Sequence, residues 1–185
     1  MRVLWVWLAL GCLTLPAQAL ELLLNGGFEQ PLTDGWRQET QGSAWYIDRG
    51  TNYDPDPDYE ALVRQNTGTG SARLCQEVVL PSPDVEFSVS ARMQATATST
   101  AWAGAAVTLS YLDQHGFALG ETYICVKSSS CPWTDTPTTH LISAPVSTWF
   151  DFAFNLVDEL ANLPGVAPAA VHQVRVSLLV RAADC

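Results

Sequence analysis

Positive charge is scarce in this chain. Lys127 is the single lysine, and nine lysines and arginines together face 19 acidic residues, for a formal net charge of −10 at pH 7. No basic run exists to neutralise a phosphate backbone, which disfavours nucleic acid as a partner. An acidic surface also disfavours anionic lipid and anionic polysaccharide, and it suits a neutral glycan or a cation. Histidine is equally sparse: His115, His140 and His172 are scattered, and the cysteines form no two close pairs, so a zinc site is disfavoured. Catalytic signatures are missing as well. The chain has no Gly-x-Ser-x-Gly elbow, no His-Glu-x-x-His and no phosphate loop. No strand-like stretch alternates carboxylates on one face, the way a sandwich hydrolase would present its two acidic groups. The expectation is therefore a non-catalytic chain. After residue 19, no apolar run is long enough to span a membrane.

What is present begins with a leader. Met1-Arg2 is a minimal basic region, Val3 to Leu15 is almost wholly apolar, and Ala17-Gln18-Ala19 is a small-x-small cleavage signature. Residues 1–19 read as a secretory signal peptide, so the chain is expected outside the cell or in the periplasm. A membrane anchor is the competing reading, but the run is too short to span. Lipidation at Cys12 competes too, although the apolar run continues past that cysteine. Residues 20–185 then form one domain with enough chain for a real core. Four cysteines remain after cleavage, an even number that favours two disulfides in an exported chain. The short gap between Cys125 and Cys131 suits a loop staple, which leaves Cys75 with Cys185.

Period-2 patterning dominates the domain. Phe87, Val89, Ala91 and Met93 alternate with Ser88, Ser90 and Arg92. Phe150, Phe152, Phe154 and Leu156 alternate with Asp151 and Asn155, and Val174, Val176, Leu178 and Val180 with Gln173, Arg175 and Ser177. Such alternation marks antiparallel strands packed on one face and wet on the other. Leu74–Leu80 and Val107–Tyr111 extend the set, and Leu22–Leu24 reads as a short buried strand. Pro81-Ser82-Pro83-Asp84 separates two strands, Asp113-Gln114-His115-Gly116 reads as a hairpin turn, and Ala95–Thr100 as a small-residue loop. One short helix is expected over 156–163, ended by Pro164. Many short strands of this kind predict an all-β sandwich.

Near the mature N-terminus stands Asn25-Gly26-Gly27-Phe28-Glu29, answered by Gly35-Trp36. On physical grounds Asn25-Gly26-Gly27 supplies positions that tolerate positive φ, hence a tight turn. The motif also resembles the opening of galactose-binding-like β-sandwich domains, especially the carbohydrate-binding modules found beside bacterial glycoside hydrolases. Gly70-Ser71-Ala72 with Gln76-Glu77-Val78, Tyr111-Leu112-Asp113 with Gly116, and Thr148-Trp149 leading into Phe150 extend the likeness over most of residues 20–180. The resemblance implies a jelly-roll β-sandwich of two antiparallel sheets. It also implies a structural calcium ion, held by the Gly27 carbonyl, the Glu29 carboxylate and an Asp of the last strand. That third ligand is not visible: the chain stops at Ala182-Ala183-Asp184-Cys185, directly after an apolar strand. Val174–Val180 would then lack a neighbour and expose an apolar sheet edge, so the expectation is a fragment whose last strand is absent.

A second acidic cluster, Asp54-Pro55-Asp56-Pro57-Asp58-Tyr59-Glu60, has the alternate aspartates of an EF-hand but Tyr59 where that loop needs glycine and Gln65 where it needs glutamate. It reads as a stiff, solvated loop, with a second cation or sugar hydroxyls as the alternative. Sugar rings stack on exposed aromatic faces. Trp36 and Trp149 are expected in the core, and one of Trp45-Tyr46 as well. Trp102 and Trp133 are the candidate sugar platforms, with Tyr53 and Tyr59, and also Gln94 and Gln114, as candidate hydroxyl partners. The function expected is a secreted, non-catalytic carbohydrate-binding module for a neutral glycan, as part of a larger surface or hydrolase protein. The alternative is a structural or adhesion domain without a sugar site.

Overall fold

A computed structural model describes residues 21–53, 58–98 and 101–183. The expected leader, the first half of the acidic loop and Cys185 lie outside those residues. The described elements run β1 (Arg37–Gly42), β2 (Trp45–Gly50), β3 (Glu60–Gln65), β4 (Gly70–Val79), β5 (Glu86–Arg92), β6 (Trp102–Leu112), β7 (Ala118–Lys127), β8 (Thr139–Ser143), β9 (Trp149–Asn155), α1 (Leu156–Leu160), a 3-10 turn at Pro168–Ala170, and β10 (Gln173–Ala183). Among the described residues no helix is long and apolar enough to cross a membrane.

The chain is an all-β sandwich. One layer is a six-stranded sheet in the order β1-β4-β10-β6-β7-β8, and the other is made of two ribbons, β2-β3 and β5-β9. Every pairing is antiparallel except β7 with β8, which run parallel. The core fills the space between the layers. Leu74, Val107, Leu109, Tyr111, Ile124, Val174 and Val176 descend from the large sheet, and Phe87, Val89, Phe150, Phe152 and Phe154 from the β5-β9 ribbon. Alternation explains this directly: the apolar half of each strand faces the opposing layer.

The helix starts where Asn155 caps it, its side chain accepting from the Val157 amide. Leu156 and Leu160, one turn apart, are buried with Leu163, whereas Val157 is exposed. Glu159 is the buried polar residue beneath α1. Its Oε1 accepts from Thr122 Oγ1 (2.6 Å) and meets His140 Nδ1 at 2.6 Å, and its Oε2 accepts from Asn162 Nδ2 (3.0 Å). The Tyr111 hydroxyl joins the network through Thr122 at 3.0 Å.

Four expectations change. Strand β10 is central, hydrogen-bonded to β4 on one side and β6 on the other, so the argument from an exposed apolar edge falls. Leu22–Leu24 is not a strand; the Leu24 amide and carbonyl are held instead by the two ends of the Gln76 amide (2.7 and 2.8 Å). In the Asn25 motif, positive φ falls on Asn25 (52°) and Phe28 (57°), not on Gly26 or Gly27. Asparagine tolerates this region, and Phe28 is held there by its ring packing on Trp36 at 5.1 Å. Trp45 and Tyr46, the first two residues of β2, are both exposed, at 41% and 47%.

Candidate functional site

The face of the six-stranded sheet turned away from the core is the chemically rich surface. Register places its residues in rows that cross the strands. One row runs Gln41, Ser71, Arg181, Gly104, Lys127, and the next runs Glu39, Arg73, Leu179, Ala106, Cys125, Ser143. A third holds Arg37, Cys75, Ser177, Thr108, Tyr123 and Leu141. Between Trp102 and Thr108 this face of β6 carries only small side chains, Gly104 and Ala106. Trp133, from the loop after β7, lies over that gap.

The fit of Trp133 is tight. A Cβ on Gly104 would stand 2.5 Å from its six-membered ring. Its other contacts are the Tyr123 ring at 5.1 Å and the edge of Trp102 at 6.4 Å. The Lys127 ammonium donates to the Trp133 carbonyl, which ties the loop to β7. Trp133 thereby becomes one wall of a cleft of about 360 Å³, lined also by Glu39, Gln41, Ser71, Arg73, Tyr123 and Arg181. Tyr123 is fixed in place by donating to Glu121 (2.7 Å), and burial with that carboxylate pushes its phenol well above the usual range. A larger, more open depression of about 490 Å³ lies against β5 and β9, at Ser88, Ser90, Asp151 and Phe152. It has no tryptophan wall and no cation among those residues, so the cleft beside Trp133 is the better candidate.

The four expected sugar-contact residues divide. Trp102 and Trp133 come together at the cleft, Trp102 as the partner supporting Trp133 and lying 5.7 Å from the Arg181 guanidinium. Tyr53 and Tyr59 belong to the opposing layer, beside β2-β3. The Tyr53 hydroxyl donates to Asp48 (2.9 Å), as does that of Tyr46 (2.6 Å). Burial and that carboxylate push Tyr53 up to about 12, while the Tyr46 hydroxyl and the Arg49 amide hold Asp48 below its ordinary value. Tyr59 lies under the Arg49 guanidinium, 3.4 Å from its ring centre. Gln94 and Gln114 are exposed and stand outside the cleft lining.

Sequence reasoning missed Tyr123, Arg73, Arg181, Glu39 and Gln41. One signal was available. Ala103-Gly104-Ala105-Ala106 is a run of small residues within a largely buried strand, a sign that something large packs close to its backbone.

The expected metal ligands fit a calcium ion poorly. The Arg49 guanidinium already donates to the carbonyls of Phe28 and Glu29 (2.6 Å to the latter), and Glu29 Oε1 accepts from the Tyr59 amide at 3.3 Å. A divalent cation there would compete with a fixed positive charge. Among the described residues, no group of three His, Cys, Asp or Glu side chains could hold a metal. The Asn25 side chain closes the motif into a turn. Asn25 bonds the Gln30 amide (2.8 Å) and the Gln30 carbonyl (2.9 Å), and the Trp36 indole donates to the Asn25 carbonyl (3.0 Å).

The expected Cys125–Cys131 bond is not formed. Among the described residues Cys75, Cys125 and Cys131 are buried and form no disulfide with one another, and burial pushes Cys125 up to about 11. Cys125 is locked in the β7 ladder, and Cys131 closes a turn whose amide donates to Ser128 (3.0 Å). Nearness in sequence does not supply the geometry a disulfide requires. The partner expected for Cys75, Cys185, lies outside the described residues.

No protein-family model matches the chain. No curated protein matches it either. Among solved structures, the enzymatically active domain of bacteriophage CBA120 tailspike protein 4 overlaps 90% of this chain and 21% of its own at 13% identity, TM-score 0.48. A family 11 carbohydrate-binding module from a cellulosomal cellulase of Clostridium thermocellum overlaps 89% of this chain and 91% of its own at 11% identity, TM-score 0.40. Likeness at this level carries no argument about what the cleft holds.

Proposed function

We propose that the chain is a non-catalytic glycan-binding module, exported from the cell, whose ligand lies in the cleft beside Trp133. The observation that carries this reading is the seating of an aromatic wall over Gly104, backed by Tyr123 and facing polar side chains across an open trough. A sugar offers C–H groups to an aromatic ring and hydroxyls to planar polar groups, and this cleft supplies both along its length. Binding is favoured over hydrolysis because Glu39 is the one carboxylate among the described lining residues, whereas glycosidic cleavage takes two. The acidity of the whole chain disfavours an anionic glycan at its surface at large, whereas the cleft itself sets two arginines, Arg73 and Arg181, against one carboxylate, Glu39.

Titration of intrinsic tryptophan fluorescence with a panel of neutral and acidic oligosaccharides tests the reading. Trp133→Ala should weaken binding at least tenfold, equivalent to about 1.4 kcal/mol, while leaving the melting temperature within a few degrees of the parent. A structural or adhesion domain without a sugar site would instead show no response to any glycan, and no difference between parent and variant.

A further inference from the structure

We infer that the sugar read by this cleft carries a carboxylate, so that the ligand class is an oligo-uronate; this rests on the cleft being the glycan site. The chain as a whole has a net charge of −10, yet on this face its strands place Arg37, Arg73, Arg175, Arg181 and Lys127 against only Glu39, Glu77 and Glu121. More than half the positive charge of residues 20–185 is thus gathered on one face of one sheet.

The carboxylates are already engaged. Glu77 takes Arg175 at 2.7 Å and Arg37 at 3.4 Å, and Glu39 takes Arg37 at 2.6 Å and Arg73 at 3.7 Å. Glu121 accepts from the hydroxyls of Ser110 and Tyr123, both at 2.7 Å. The loop after β7 adds Asp135, which accepts from the Leu141 amide. Arg181 has no carboxylate within 4 Å among the described residues, and Arg73 has a single long contact.

These two arginines are diagonal neighbours. Arg73 pairs in register with Leu179, two residues before Arg181, so their side chains leave the sheet about 7 Å apart on the same face. Both line the cleft with Trp133. A guanidinium presents a planar fork that matches a carboxylate, and such charge-assisted pairs are about twice as strong as neutral hydrogen bonds. Neutral hydroxyls are met equally well by uncharged amides, and Gln41 is the one amide lining this cleft, so two arginines without a close carboxylate favour a charged ligand. The negative charge elsewhere is no obstacle at physiological salt, where exposed charges more than about 8 Å away are largely screened.

The test uses the full chain and two matched probes, a short oligogalacturonate and the same oligomer fully methyl-esterified, which differ in carboxylate charge and its blocking methyl. Calorimetric or fluorescence titration should show the free acid binding about tenfold or more tighter, with the margin shrinking as salt is raised. Arg181→Gln and Arg73→Gln should each bring the two affinities together, while Trp133→Ala should weaken both probes. Equal or tighter binding of the ester, unaffected by either arginine variant, overturns the uronate inference and leaves the glycan reading standing. So does binding confined to neutral oligosaccharides. Failure of every acidic and neutral probe overturns the glycan reading, and the inference with it.

Discussion

Trp133 is held in the cleft by what β6 lacks at position 104. Its ring occupies the space a side chain would fill, with the nearest ring carbons 2.5 Å from where a Cβ would stand. Gly104→Ala should therefore push the indole off the sheet without touching any other cleft residue. The expected outcome is loss of glycan affinity approaching that of Trp133→Ala, together with a shift in tryptophan emission, read in one fluorescence titration. A second residue sets the acid response of the same face. The hydrogen bond from Arg175, reinforced by its charge and that of Arg37, holds Glu77 below its ordinary value of 4.5. A carboxylate lowered in the folded state adds stability that is complete above its unfolded value and is lost as pH falls through the folded one. Glu77→Gln should thus lower stability at pH 7 by up to about 1 kcal/mol, as for a partly exposed ion pair. The gap between variant and parent should close below about pH 4, as thermal melts across that range would show.

At the scale of elements, α1 is short and derives its stability from burial rather than length. Leu156 and Leu160 fix it on the core, and Glu159 closes it through Thr122, His140 and Asn162. Removing the carboxylate leaves the buried Thr122 and the half-buried His140 without their acceptor. Glu159→Ala should cost about 3 kcal/mol in denaturant unfolding, whereas Glu159→Gln, which keeps part of the hydrogen bonding, should cost less. Single elements are also where the sequence was most legible. The alternation in Phe87–Met93, Phe150–Leu156 and Val174–Val180 names β5, β9 and β10, because period 2 records which side chains meet the core. Leu22–Leu24 misled for a complementary reason: three adjacent leucines carry no period, and only the Gln76 amide decides that this segment is pinned rather than paired. Trp102 and Trp133 were legible as aromatics without a core assignment, but not as each other's neighbours.

For the whole molecule, strand order decides what no local pattern can. Arg73, Arg181 and Gly104 are far apart in sequence and meet only because β10 lies between β4 and β6. Cross-strand rows depend on register, and register over such separations is not written in any one segment. The same topology has a folding consequence. The last described strand occupies the middle of the large sheet, so β4 and β6 have no backbone partner on their facing sides until β10 has been made. Non-local pairing of this kind is slow, and partly made sheets with open edges are prone to associate. Deleting residues 173–185 should therefore do more than trim an edge. It removes the ladder partner of two strands and takes Val174 and Val176 from the core. The shortened chain should lose its cooperative thermal transition and aggregate at concentrations where the parent stays monodisperse. A shortened chain that instead melts cooperatively, within a few degrees of the parent, would mean that β4 and β6 can close on one another and that β10 is not the strand on which the sandwich depends.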